Sequence, residues 1–131
     1  MIGVSAQTRD NTRNVARRTR AANIKSLGHA GASIRMVARR SIRRRKSASA
    51  EGKPPHTRKG QLRSAIYYSV EKSRDQVVIG PEHGKVGRSA SAHEHGGRYR
   101  RQRYPRRPFM GPALEKTKDR LPRLWGGSVK G

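Results

Sequence analysis

Among the residues of this chain that could do chemistry, the first are His93, Glu94 and His95, with His56 and His83 elsewhere. Imidazole and carboxylate are ligands that zinc accepts, and on a strand positions i and i+2 share a face. The spacing argues against a metal centre, because Gly96-Gly97 follows at once and no third ligand is marked; solvated or ring-contacting histidines are the competing reading. A zinc-dependent hydrolase using His93 and His95 would require stoichiometric metal. Nucleophilic catalysis has no better support, since the many serines stand in no strand-Ser-helix elbow and no carboxylate pair stands out. Glu94 is the only acid between Lys85 and Arg107. No catalytic residue, metal ligand or cofactor is therefore expected. Gly80-Pro81-Glu82-His83-Gly84-Lys85 lacks the spacing of a phosphate-binding loop and the Ser or Thr after its lysine, and reads as the end of a strand.

The arginines carry more. Arg39, Arg40, Arg43, Arg44, Arg45 and Lys46 form a basic helix end, and Arg98, Arg100, Arg101, Arg103, Arg106 and Arg107 form a second basic run with Tyr99 and Tyr104 interleaved. Tyrosine among arginines suits stacking on single-stranded bases. The same charge equally suits a protein lining a DNA passage or docking an acidic neighbour. No RNA-binding sheet signature, KH loop or zinc knuckle is present.

The elements that must position these groups follow from periodicity. Ile24, Leu27, Ala30, Ile34, Val37, Ala38, Ser41 and Ile42 fall on one stripe at helical spacing, with Arg35, Arg39, Arg40, Arg43 and Arg44 opposite. This predicts an amphipathic helix from near residue 20 to Lys46, with a kink or a close contact at Gly28 and Gly31. Residues 1–20 read as a basic mobile arm or frayed helical extension. Pro54-Pro55 stops the helix. Ile66, Tyr68 and Val70 alternate with Tyr67, Ser69 and Glu71, and Val77-Val78-Ile79 runs to Gly80-Pro81, which predicts two antiparallel strands. Glu82 to Ala92 reads as a loop, Arg98 to Tyr104 as a short third strand, and Phe109, Met110, Ala113, Leu114, Thr117 and Leu121 as one side of a helix entered at Pro112. Residues 123–131 read as an extended tail. The expected fold is α+β: one domain over 21–122, a small antiparallel sheet packed against a long N-terminal helix and a short C-terminal helix.

Only 31% of the chain is apolar and 5% aromatic, so the core is thin, and exposed sheet edges favour a homo-oligomer. With 32 Lys+Arg against 8 Asp+Glu the formal charge is +24, which calls for an anionic or acidic partner, nucleic acid first. No cysteine is available for a disulfide or a thiolate site. The absence of a signal-peptide pattern or of a long apolar run predicts a protein made in a cytoplasm and not placed in a membrane.

Four segments, in order, carry a resemblance: Pro54-Pro55-His56-Thr57-Arg58-Lys59-Gly60-Gln61-Leu62-Arg63-Ser64-Ala65-Ile66, then Val78-Ile79-Gly80-Pro81, then His93-Glu94-His95-Gly96-Gly97, then Arg107-Pro108-Phe109-Met110-Gly111-Pro112-Ala113-Leu114-Glu115. Together they resemble the tail-component, or tail-completion, family of long-tailed bacteriophages. The resemblance implies a non-enzymatic virion part of the neck, assembled in the bacterial host cytoplasm. It implies a ring, typically of six copies, around the viral double-stranded DNA channel between head connector and tail terminator or tail tube. It also makes Pro54-Pro55-His56-Thr57 an ordered connection. The chain departs from the family at His95, where an aromatic is common, and at Lys59, where a small polar residue is usual. On this reading Arg39, Arg40, Arg43, Arg44, Arg45, Arg98, Arg100, Arg101, Arg103 and Arg106 meet DNA or an acidic partner. Pro55, Gly80, Pro81, Gly97, Pro108, Phe109, Pro112 and Leu114 are structural anchors, with Phe109 laying the last helix onto the core. The alternative is a basic nucleic-acid-binding module, RNA- or ribosome-associated.

Overall fold

Ala30, Ile34, Ala38 and Ile42 are buried along one stripe, so the helical periodicity of the sequence becomes the floor of the molecule. The computed structural model describes residues 2–126, with side chains described from Thr12 onward. Helix α1 (Ile2–Ser41) is continuous, about 60 Å long at 1.5 Å per residue. From Thr12 to Ala21 every residue is exposed, although Arg20 already reaches the domain, its guanidinium donating to Lys72 O at 3.4 Å. The segment of the tail at 127–131 lies outside the described residues; the part before it is not extended, because Leu121–Leu124 forms a 3-10 turn whose Leu124 carbonyl accepts from Ser26 Oγ at 2.9 Å.

Helix α1 stops five residues short of the expected Lys46. Arg45 N donates to Thr57 O at 3.1 Å and Thr57 N to Arg43 O at 2.9 Å, so the chain leaves the helix to pair with the proline segment. Arg43, Arg44 and Arg45 thus lie beyond the helix, exposed. The connection that follows is ordered: Pro55 is fully buried, and Thr57 Oγ1 accepts from Gly60 N at 3.1 Å ahead of α2 (Gln61–Ala65).

Strands β1 (Ile66–Glu71) and β2 (Gln76–Pro81) pair antiparallel, with Ile66 opposite Pro81 and Val70 opposite Val77. Gly31 explains how closely α1 crosses this ribbon. A Cβ there would sit 2.7 Å from both Tyr68 Cδ2 and Val77 Cγ2, so only glycine permits the approach. Its role is a close contact with the ribbon, within an unbroken helix. The opposite face presents Tyr67 and Val78, each 48% exposed.

The expected loop 82–92 instead contains α3 (His83–Val86) and α4 (Ser89–His95). Ala90 and Ala92 are buried, so a Ser/Ala stretch with no local apolar signal becomes helical by docking. The expected third strand is a hairpin of its own, β3 (Gly97–Tyr99) with β4 (Gln102–Tyr104), and does not join β1–β2. Helix α5 (Met110–Thr117) closes the domain. The core joins Ile34, Ala38, Ile42, Leu62, Ile66, Ala90, Phe109 and Ala113. Phe109 is 1% exposed, whereas Leu114, expected on the inward side, is 48% exposed. The short helix turns Ala113 and Thr117 inward instead, and Thr117 Oγ1 donates to Ala113 O at 2.9 Å.

Candidate functional site

Arg100 and Arg101 occupy the two-residue turn between β3 and β4, with φ of 49° and 64°. A two-residue turn with both φ values positive suits the twist of a hairpin and is ordinarily filled by Asn-Gly or Gly-Gly. For residues with a Cβ each such position costs about 1–2 kcal/mol. Two adjacent arginines therefore hold the tip of the hairpin against local preference, and both are exposed. Inside the hairpin, the Arg100 guanidinium carbon lies 5.3 Å from the centre of the Tyr99 ring, a cation over an aromatic face. Tyr99 meets Tyr104 edge-on at 5.9 Å, and Tyr104 meets His93 at 5.0 Å.

The hairpin is held in place by the segment before it and the segment after it. Glu94 sends its carboxylate to the start of α5: Oε2 accepts from Phe109 N at 2.8 Å and Met110 N at 3.0 Å, and Oε1 accepts from Gly111 N at 2.9 Å. Three N–H groups left over at a helix start are satisfied by one anion, which also complements the helix dipole. At Gly111 a Cβ would come within 3.3 Å of Glu94 Oε1, so glycine keeps that oxygen accessible. Arg107 N donates to His93 O at 2.6 Å, and Arg107 Nε donates to Ser49 O at 2.8 Å. Gly96 lies against the backbone of Tyr104 and Arg106 at φ 75°, a conformation that residues with a Cβ rarely adopt. The acid in the His-Glu-His motif is thus a cap fifteen residues away in sequence from its first donor.

Burial lowers the pKa of His93 below its ordinary value, and the positive charge of Arg107 lowers it further. Its Nδ1 is buried and has no hydrogen-bond partner among the described residues. His95, by contrast, is exposed. Among the described residues no group of three or more His, Cys, Asp or Glu side chains is arranged to hold a metal ion, and no helix is long and apolar enough to cross a membrane.

Two open clefts flank the hairpin. One, of about 770 Å³, runs between the 56–62 segment, α3 and the inner side of the hairpin, and is lined by His56, Arg58, Lys85, His93, Tyr99 and Arg100 among others. The other, of about 680 Å³, is lined by Glu51, His95, Gly97, Arg103, Tyr104 and Arg106. The arginines singled out from sequence divide accordingly. Arg100 joins the first cleft and Arg103 and Arg106 the second, while Arg39 and Arg40 remain on the last turn of α1. Arg44 reaches the rim of the first cleft indirectly, its Nε donating to Arg58 O at 3.0 Å. Arg98 is exposed on β3, opposite Arg103. Arg35 and Arg107, basic in sequence, act structurally, since Arg35 Nε donates to Ile66 O at 2.8 Å. Arg58 and Lys85 enter the site without having been singled out, because nothing in their local sequence indicates that α3 and the proline segment face one another.

Few of these charges are neutralised. Among the described residues three ion pairs form, Arg74–Glu71 at 3.8 Å, Lys85–Glu82 at 3.4 Å and Lys118–Glu115 at 2.8 Å, all exposed and three residues apart. Such pairs contribute little. The surface therefore remains strongly cationic and suited to polyanions. The chain matches no family model, no curated protein and no solved structure.

Proposed function

We propose that this chain is a structural protein of the neck of a long-tailed bacteriophage, a tail-completion component. Copies form a homo-oligomeric ring, of six, around the double-stranded DNA channel between the head connector and the tail terminator or tail tube, and they perform no chemistry. The observation that carries this reading is the convergence of the segments on which the resemblance rests. Leu62 and Ile66 from the first and Phe109 and Ala113 from the last share one core, and Glu94 of the third caps the helix of the last. Residues scattered over the sequence thus serve one architecture, as they would if the whole pattern were inherited together. Among the described residues no further strand pairs with either edge of the two-stranded ribbon β1–β2, and its outer face bears Tyr67 and Val78, which favours cover by neighbouring copies. In this setting the exposed arginines face the DNA or acidic neighbouring rings, and the protein resides in the virion.

Mass measurement by light scattering, with negative-stain imaging, tests the ring. Self-repulsion among copies each carrying a formal +24 weakens assembly at low salt, so rings are expected as salt rises or when duplex DNA is added. A protein that stays monomeric across salt, DNA and a purified head connector overturns the reading. The cation over Tyr99 favours a second reading, a basic nucleic-acid-binding module acting off the virion, RNA- or ribosome-associated. Sequence-selective binding that survives near-physiological salt would support it, whereas steeply salt-dependent, sequence-blind binding supports the neck.

A further inference from the structure

We infer that the cleft between the β3–β4 hairpin, α3 and the 56–62 segment is a binding site for a single-stranded nucleic-acid segment, one base lying against Tyr99 and its phosphates on Arg58 and Arg100. Single-strand sites combine a cationic track for the backbone with aromatic side chains that take bases, and this cleft has both. Its lining includes three imidazoles, Arg58, Lys85 and Arg100, and no carboxylate. Lys85 is shared at the rim with Glu82, 3.4 Å away, which leaves Arg58 and Arg100 as the principal cations. The volume of about 770 Å³ accommodates a nucleotide unit and remains open at its mouth, as a continuous strand requires.

Two details orient the ligand. Tyr99, Tyr104 and His93 form a chain of edge-on rings, so the tyrosine faces are braced and not free to collapse into the cleft. The two arginines at the hairpin tip sit at positive φ, a conformation that local preference would give to glycine or asparagine, which is the pattern of strain retained at a binding element. A duplex presents its bases stacked and paired, so it can reach the cations but not the ring of Tyr99. The site is independent of the ring arrangement, and sizing the same samples reports assembly separately.

The test is fluorescence anisotropy with two probes, a labelled oligothymidylate and a thymidine-adenosine duplex of the same length, near physiological salt. The native chain is expected to prefer the single strand. Tyr99→Leu is expected to weaken single-strand binding about tenfold, the size of one lost base-stacking contact, with the duplex changed less than about twofold. Tyr99→Phe, which keeps the ring, is expected to bind as the native chain does. Equal losses on both probes, no loss on either, or a native chain without preference overturns the site. Should Tyr99→Leu fail to fold, photocrosslinking a 4-thiothymidine strand to the native protein decides the matter. Label on the peptide containing Tyr99 supports the site, and label confined to Arg39–Arg45 or to α1 overturns it.

Discussion

The junction of α4 with α5 and the hairpin that separates them are neighbours built on opposite terms. At the junction, Glu94 meets three backbone donors, Phe109 is 1% exposed, and Arg107 finds the Ser49 carbonyl. At the hairpin tip, Arg100 and Arg101 hold a backbone conformation that disfavours them and are exposed, Arg100 lying over the Tyr99 ring. The contrast separates two uses of one biased composition. Where an arginine or an acid is matched by a carbonyl or an N–H, it holds the fold; where cations stand without acids, they face outward.

The comparison can be broken most forcefully at the junction. Phe109→Ala should cost about 3–5 kcal/mol in urea unfolding, enough to abolish folding in so thin a core. Unchanged melting would show that the last helix is held by something else. Glu94→Ala should follow with a loss of about 1.5–3 kcal/mol, since a charge-assisted cap of three donors is removed. Glu94→Gln, which keeps one acceptor, should lose less, and equal losses in the two variants would deny the carboxylate its role. The hairpin should respond in the opposite direction. Arg100→Asn with Arg101→Gly should raise stability by about 1 kcal/mol, by relieving positive φ, while weakening polyanion binding in a salt titration. A stability loss there would mean that the turn is not strained.

The smallest effect belongs to His93, between the two regions. Its pKa in the folded chain lies below the ordinary 6.5, through burial first and Arg107 second. In the unfolded chain the ring takes up its proton as pH falls through about 6.5, whereas in the folded chain it resists until lower pH, so acid favours unfolding. The contribution is complete above about 6.5, declines below it, and levels off beneath the folded pKa. Melting temperature followed on the acid side should fall less steeply in His93→Gln than in the native chain.

Much of the architecture was legible from residue order because it rests on local periodicity. The buried stripe of α1, the two runs that became β1 and β2, and the isolated phenylalanine ahead of a helix each declare themselves within a few residues. The α+β class and the strong positive charge followed from the same reading. Elements without a local apolar signal were missed: α4 is helical because Ala90 and Ala92 find a surface, and α1 ends at Ser41 because Thr57 offers pairing partners to Arg43 and Arg45. Helical spacing places Leu114 on one side with Ala113 and Thr117, yet Leu114 is 48% exposed while Ala113 and Thr117 are buried, because that side is wider than the surface the core covers.

The candidate site divides along the same line. Composition and the Tyr-Arg run determined by themselves that the chain is cationic and that aromatics stand among the cations, because charge and residue type do not depend on folding. Tertiary structure alone decided that Glu94 is a helix cap, that His93 is buried beside Arg107, and that Arg58 and Lys85 join Tyr99 and Arg100 around one cleft. These groups lie up to several dozen residues apart, and no local pattern encodes a meeting that depends on loops closing and on α5 being laid across the core.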